Sequence, residues 1–287
     1  MVNHHILSSV LLAFAASVQA GAPGYPGFSL RWQDDFSGAR GSSPNTRNWN
    51  LITGNLGVNG ELQTYSSSTR NVQLSGSNSL QIAPLRDSST SGGWTSGRLE
   101  SKYVFTPTVG KITRIEASLR FGSNDQGAKK GMWPAWWMLG NSLRNGGKKW
   151  PECGEIDVME QVNGLATGHG TLHCQKYPGG ICNEPSGIGS PVGFANTGYH
   201  VWRVEFDRRS SDWKQQAITW YLDGRQFHQV TGARLNDLAA WTALCQSPMY
   251  FVLNLAVGGS WPGAPTAATK DGFASGMEVA YVAHYSQ

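Results

Sequence analysis

Glycine, serine, asparagine and aspartate interrupt this chain at short, roughly even intervals, and little sustained helical period survives between the interruptions. The runs between them are rich in β-branched and aromatic residues: "NVQLSGSNSLQIAPL", "GRLESKYVF", "ITRIEASLRF", "GEIDVME", "YHVWRVEFD", "MYFVLNLAVGG" and "MEVAYVAHY". Many short strands separated by turn residues fold as a sandwich or a barrel, so the expected class is all-β. "TWYLDGRQFHQV" predicts a hairpin about Asp223-Gly224, the favoured two-residue turn, and "ARLNDLAAWTALC" predicts a short helix. No repeat of fixed period occurs, and nothing linker-like follows residues 21–28. Residues 21–287 are therefore expected to form a single domain.

Ahead of that domain, "MVNHHILSSVLLAFAASVQA" has a short apolar core and ends in small residues at Val18 and Ala20, the pattern of a secretory signal over residues 1–20. Its apolar part is too short to span a bilayer comfortably. The expected location is extracellular, with no membrane partner. Export makes the four cysteines candidates for two disulfides. Cys174 and Cys182 bracket the tight loop "CQKYPGGIC", which leaves Cys153 to pair with Cys245. A formal charge of +4 with scattered basic residues gives no stripe to follow a phosphate backbone, so nucleic acid is not an expected partner. The absence of a C-x-x-C pair argues against zinc.

The stretch "WPECGEIDVME" places Glu155, Asp157 and Glu160 within six positions of an apolar run. Side chains alternate along a strand, so Glu155 and Asp157 share a face while Ile156 and Val158 turn to the core. Strict alternation sends Glu160 to the wrong side, and one β-bulge near Val158-Met159 restores it. Each close pair of ionised acids costs roughly 1–4 kcal/mol at ordinary effective dielectrics. A shared or retained proton relieves that repulsion and separates the pKa values. A nucleophile and a general acid in unlike protonation states are what a retaining glycosidase needs.

Upstream, "GMWPAWWMLG" places Trp133, Ala135 and Trp137 on one face of a strand and Trp136 on the other, in the core. Trp261 lies in the loop "GGSWPG". Exposed indoles beside an acidic row are platforms for the apolar faces of sugar rings.

Taken together, "RWQDDFSG", "NGELQTYS", "GRLESK", "GMWPAWWMLG", "WPECGEIDVMEQVNG", "WYLDG" and "LNLAVGGSWPG" resemble glycoside hydrolase family 16, in the family's order, across residues 31–263. The laminarinase-like endo-β-1,3-glucanase branch, in a secreted, fungal-type form, is the nearest likeness. The resemblance implies a concanavalin-A-like β-jelly-roll sandwich with an open concave cleft. It places Glu155 at the nucleophile, Asp157 at the assisting acid and Glu160 at the general acid/base. It also implies substrate contacts from Trp133, Trp137, Trp261, His173, Arg98, Asn59 and Glu61. No cofactor is implied. Ala280 replaces the acid that calcium-binding members carry near the C-terminus, so no metal is expected. The implied activity is endo-hydrolysis of β-1,3- or mixed β-1,3-1,4-glucan by a monomer. An endo-β-1,3-galactanase on the same scaffold and a non-catalytic lectin-like module are the alternatives.

Overall fold

The computed structural model describes residues 21–195 and 198–287, so the 1–20 leader lies outside the described residues. Two antiparallel sheets face each other. In the seven-stranded sheet the order is Ile188–Gly193, Thr167–His173, Glu155–Glu160, Met132–Gly140, Met249–Val257, Arg98–Phe105 and Trp49–Leu51. The eight-stranded sheet is centred on Ile112–Phe121, flanked by His200–Asp207 and Met277–Ser286. Hairpin runs of consecutive strands, such as Met132–Gly140, Glu155–Glu160, Thr167–His173 and Ile188–Gly193, alternate with pairings between strands distant in sequence, such as Met132–Gly140 with Met249–Val257, the long crossovers of a jelly roll.

Alternation within the strands builds the core. Ile156, Trp136, Phe251 and Leu253 of one sheet meet Ile115, Trp202, Phe206 and Trp220 of the other in one buried cluster. A fully buried tryptophan removes about 150–250 Å² from water, worth about 4–6 kcal/mol at ~25 cal/mol per Å². The opposite faces carry separate patches: Leu139, Cys153, Tyr250 and Val252 on the cleft side, and Ala280, Tyr281, Ala283 and Tyr285 on the outer side.

The Asp223-Gly224 hairpin forms between Ala217–Leu222 and Arg225–Thr231. Both turn residues have positive φ, 48° and 80°, which is why glycine follows aspartate there. The expected helix is present in pieces, Gly232–Leu235 and Leu238–Trp241 followed by a π-helical turn at Thr242–Gln246. Asn236, in the left-handed region at φ 49°, ends the first piece, and the Asp237 side chain caps the second by accepting from the Ala240 N–H.

Cys174 and Cys182 are bonded, with Cα atoms 5.6 Å apart. The expected Cys153–Cys245 bridge is corrected: both are buried free thiols. Cys153 packs in the cleft-side patch and Cys245 in the core between the sheets, so the two belong to different apolar clusters. Among the described residues no helix is long and apolar enough to cross a membrane.

Candidate active site

The catalytic strand candidate, Glu155–Glu160, is irregular where the parity argument requires it. Against Thr167–His173, Asp157 faces Thr171 and Glu160 faces His169, so Val158 and Met159 together oppose a single residue, Gly170. On the other side Met159 pairs with Trp136 and Asp157 with Trp137, which leaves Val158 as the inserted residue. Val158 and Met159 are both buried in the core. Glu155, Asp157 and Glu160 consequently line one cleft with Trp133, Trp137, Arg98, Asn59 and Glu61.

A bulge leaves ladder groups unpaired, and the opposite sheet supplies a partner. Trp220 reaches through the core and donates its indole N–H to the Asp157 carbonyl at 2.7 Å. Gly170 makes room for it, since a Cβ there would lie 2.5 Å from the Trp220 ring.

The three carboxyls have unlike surroundings. Trp133 donates its indole N–H to Glu160 Oε1 at 2.9 Å. Nε2 of His173 stands 3.3 Å from Asp157 Oδ2 and 3.9 Å from Glu155 Oε1. Its Nδ1 lies 2.6 Å from Oε2 of Glu184, a residue the sequence did not single out. Burial disfavours a charged imidazole, but the contacts with Asp157 and Glu184 and the charge of Glu155 outweigh it and hold His173 up to about 12. Burial and then the charge of Asp157 push Glu155 up to about 8. The same two causes raise Glu160 well above an ordinary glutamate. The imidazole beside Glu155 favours its ionised form, while burial and the charge of Asp157 favour the protonated form of Glu160. One end of the row is thus a candidate nucleophile and the other a candidate acid.

Glu155, Asp157 and His173 bring one ligand atom each within 4.8 Å of one another, a spacing that suits a metal. The same three groups are drawn together by charge pairing between the imidazole and the two carboxyls.

Arg98, Trp137, Glu61 and Asn59, among the sugar-facing candidates, form one connected network. Arg98 stacks on the Trp137 indole at 4.9 Å while its guanidinium pairs with Glu100 at 2.7 Å. Trp137 donates to Asn254 Oδ1 at 2.7 Å, and the Asn254 amide donates to the Tyr65 hydroxyl at 3.0 Å. Tyr65 in turn donates to Glu61, which also accepts from Gln63 and Asn59. Tyr65 and Asn254 were not expected, although a lone asparagine in the apolar run "MYFVLNLAV" is a signal. Trp261, 43% exposed, stands edge-on to Trp133 and touches His169. Beyond His173, Trp150 and Tyr177 form a second partly exposed aromatic pair, with ring centroids 5.9 Å apart.

A profile described as the XgeA-like catalytic GH16 domain matches residues 73–186. The endo-1,3-β-glucanase of Streptomyces sioyaensis is 41% identical, with a TM-score of 0.85, over 93% of this chain and 99% of that one. The laminarinase of Rhodothermus marinus is 28% identical with a TM-score of 0.72, over 90% of this chain and 97% of that one. Glucan endo-1,3-β-glucosidase A1 of Niallia circulans is 33% identical over 289 residues, which make up 92% of this chain but only 39% of the Niallia protein. These relatives are bacterial and lend no support to a fungal-type assignment. The jelly-roll fold, the likeness to the Streptomyces enzyme along almost the full length of both chains and the matched catalytic domain lead to one conclusion: this chain is an enzyme of glycoside hydrolase family 16.

Proposed function

We propose that the enzyme cleaves within β-1,3-linked or mixed β-1,3-1,4-linked glucans by double displacement with retention. The observation that carries this reading is the bulged acid row, whose two ends are held in unlike environments by His173 and Trp133. Glu155 attacks the anomeric carbon as the glycosidic C–O bond breaks, and protonated Glu160 gives its proton to the departing oxygen. Glu160, now a base, takes a proton from water, which adds to the anomeric carbon and frees Glu155. Asp157, paired with the His173 imidazolium, moderates the charge beside Glu155 as it is consumed and regenerated. Trp133, Trp137 and Trp261 stack on pyranose faces, and Arg98, Asn59 and Glu61 hold hydroxyls directly or through the Trp137–Asn254–Tyr65 network. Trp150 and Tyr177 extend the aromatic surface on the far side of the catalytic strand, as a polymer crossing the strands requires. In this reading the chain is exported by its 1–20 leader and acts as a monomer without a cofactor.

The test is reducing-end release with product sizing on laminarin, barley mixed-linked glucan and β-1,3-galactan, comparing wild type with Glu155→Gln. Oligosaccharides from a glucan, absent with the variant, support the assignment. Release from galactan alone moves it to a galactanase, and binding without release from any polymer moves it to a lectin.

A further inference from the structure

The acid row contains more negative charge than its own strand can settle, and the cation that settles it is held from outside the strand. His173 faces Glu155 and Asp157 through Nε2, and Glu160 also feels its charge. On its other side the ring meets Glu184 alone among the charged groups of the described residues, and Trp150 covers it at 6.0 Å between ring centroids. Arg98, over Trp137, is the other cation acting on Glu155.

Glu184 is unusually well fixed. Its side chain is fully buried. One oxygen meets His173 Nδ1 at 2.6 Å, and the other accepts the Cys174 backbone N–H at 2.8 Å. Its backbone exchanges two hydrogen bonds with Gly179, at 2.7 and 2.8 Å, and the Cys174–Cys182 disulfide closes the same loop. A buried carboxylate anchored on both oxygens and through its backbone holds a ring's orientation with little freedom.

We infer that Glu184 is the positioning residue of this site: from its disulfide-closed loop it grips Nδ1 of His173 and so aims Nε2 at Asp157 and Glu155. It touches no reacting atom and acts through the imidazole. The inference rests on the glycosidase reading above for its kinetic arm and on the geometry alone for its spectroscopic arm. With Glu184 on Nδ1, His173 keeps both ring protons, and the neighbouring cation favours the ionised nucleophile. Without that carboxylate the imidazole is free to lose a proton or turn, and Glu155 ionises only at higher pH.

The experiment joins imidazole ¹⁵N NMR to pH–rate profiles on laminarin, using wild type, Glu184→Gln and, to assign the resonance, His173→Asn. The wild-type His173 ring is expected to keep both nitrogens protonated between about pH 5 and 8, the window in which a free histidine titrates. In Glu184→Gln the ring is expected to titrate within that window, kcat to fall at least about 10-fold with KM changed less than about 2-fold, and the acid limb of the profile to move to higher pH. A folded Glu184→Gln with an unshifted acid limb overturns the inference. A wild-type His173 that titrates as an ordinary histidine overturns it even if the variant does not fold. If wild type hydrolyses no glycan, the functional reading falls, while the ¹⁵N result still decides the role of Glu184.

Discussion

The molecule buries carboxylates on both of its large facing sheets and treats them in opposite ways. Glu116, on the outer face of the eight-stranded sheet, is fully buried and fully served: Tyr25 and Tyr281 donate hydroxyls to it, and Arg203 pairs with it at 2.8 Å. In the cleft, Glu155, Asp157 and Glu160 share one imidazolium, one indole N–H and the more distant charge of Arg98. Asp157 Oδ2 has no well-aligned hydrogen bond of its own. A buried charge with its full set of partners ties elements together. A crowded set with too few partners holds protons unequally, and unequal protons are the working condition of acid–base chemistry.

Breaking each cluster in turn tests that contrast. The largest expected effect is on rate: Glu155→Gln is expected to lower kcat on glucan by at least about a thousandfold, read from initial rates, because the proposed mechanism assigns the attack on the anomeric carbon to this carboxyl alone. Glu116→Ala is expected to do the reverse, destabilising by about 3–5 kcal/mol in denaturant unfolding because it strands Arg203, while the kcat of the folded fraction stays near wild type.

Next comes Glu160→Gln, expected to lose about 10²–10⁴-fold on polymer. The loss should be smaller on an aryl glycoside whose leaving group needs no proton. Equal losses on both substrates would remove Glu160 from the acid role.

The pH dependence of stability sharpens the comparison further. Glu155 titrates near about 8 in the folded protein and near about 4.3 when unfolded, so folding favours its protonated form. The stability tied to that proton is complete below about pH 4.3 and is lost as pH rises through about 8. Thermal unfolding between about pH 5 and pH 9 should therefore show a steeper alkaline decline for wild type than for Glu155→Gln. The smallest effect is expected at Trp261→Ala: KM rises a few-fold, with stability changed by less than about 1 kcal/mol because the ring, 43% exposed, lies in a loop outside the core.

How much of this was legible in the chain depended on distance along it. The acid row, its bulge and the inward turn of Trp136 follow from local parity, because alternation in a strand is a property of neighbouring residues. The Asp223-Gly224 hairpin was legible for the same reason. Cys153 and Cys245 were misjudged because pairing by elimination ignores which side of a sheet each sulfur occupies. Glu184 left no local mark, since its role comes from a loop folded back on His173. The Tyr65–Asn254 link was hidden likewise, joining residues 189 positions apart.

The indole that crosses the core to the Asp157 carbonyl ties the history of the two sheets together. Trp220 fits only because Gly170 lacks a side chain, and the bulged peptide gains its partner only because Trp220 is there. A methyl group at position 170 would press on the Trp220 and Phe227 rings, and a shorter ring at 220 would leave the Asp157 carbonyl without this donor. A change in the outer sheet at Trp220 is therefore felt on the catalytic strand candidate, and the two positions are coupled rather than independent.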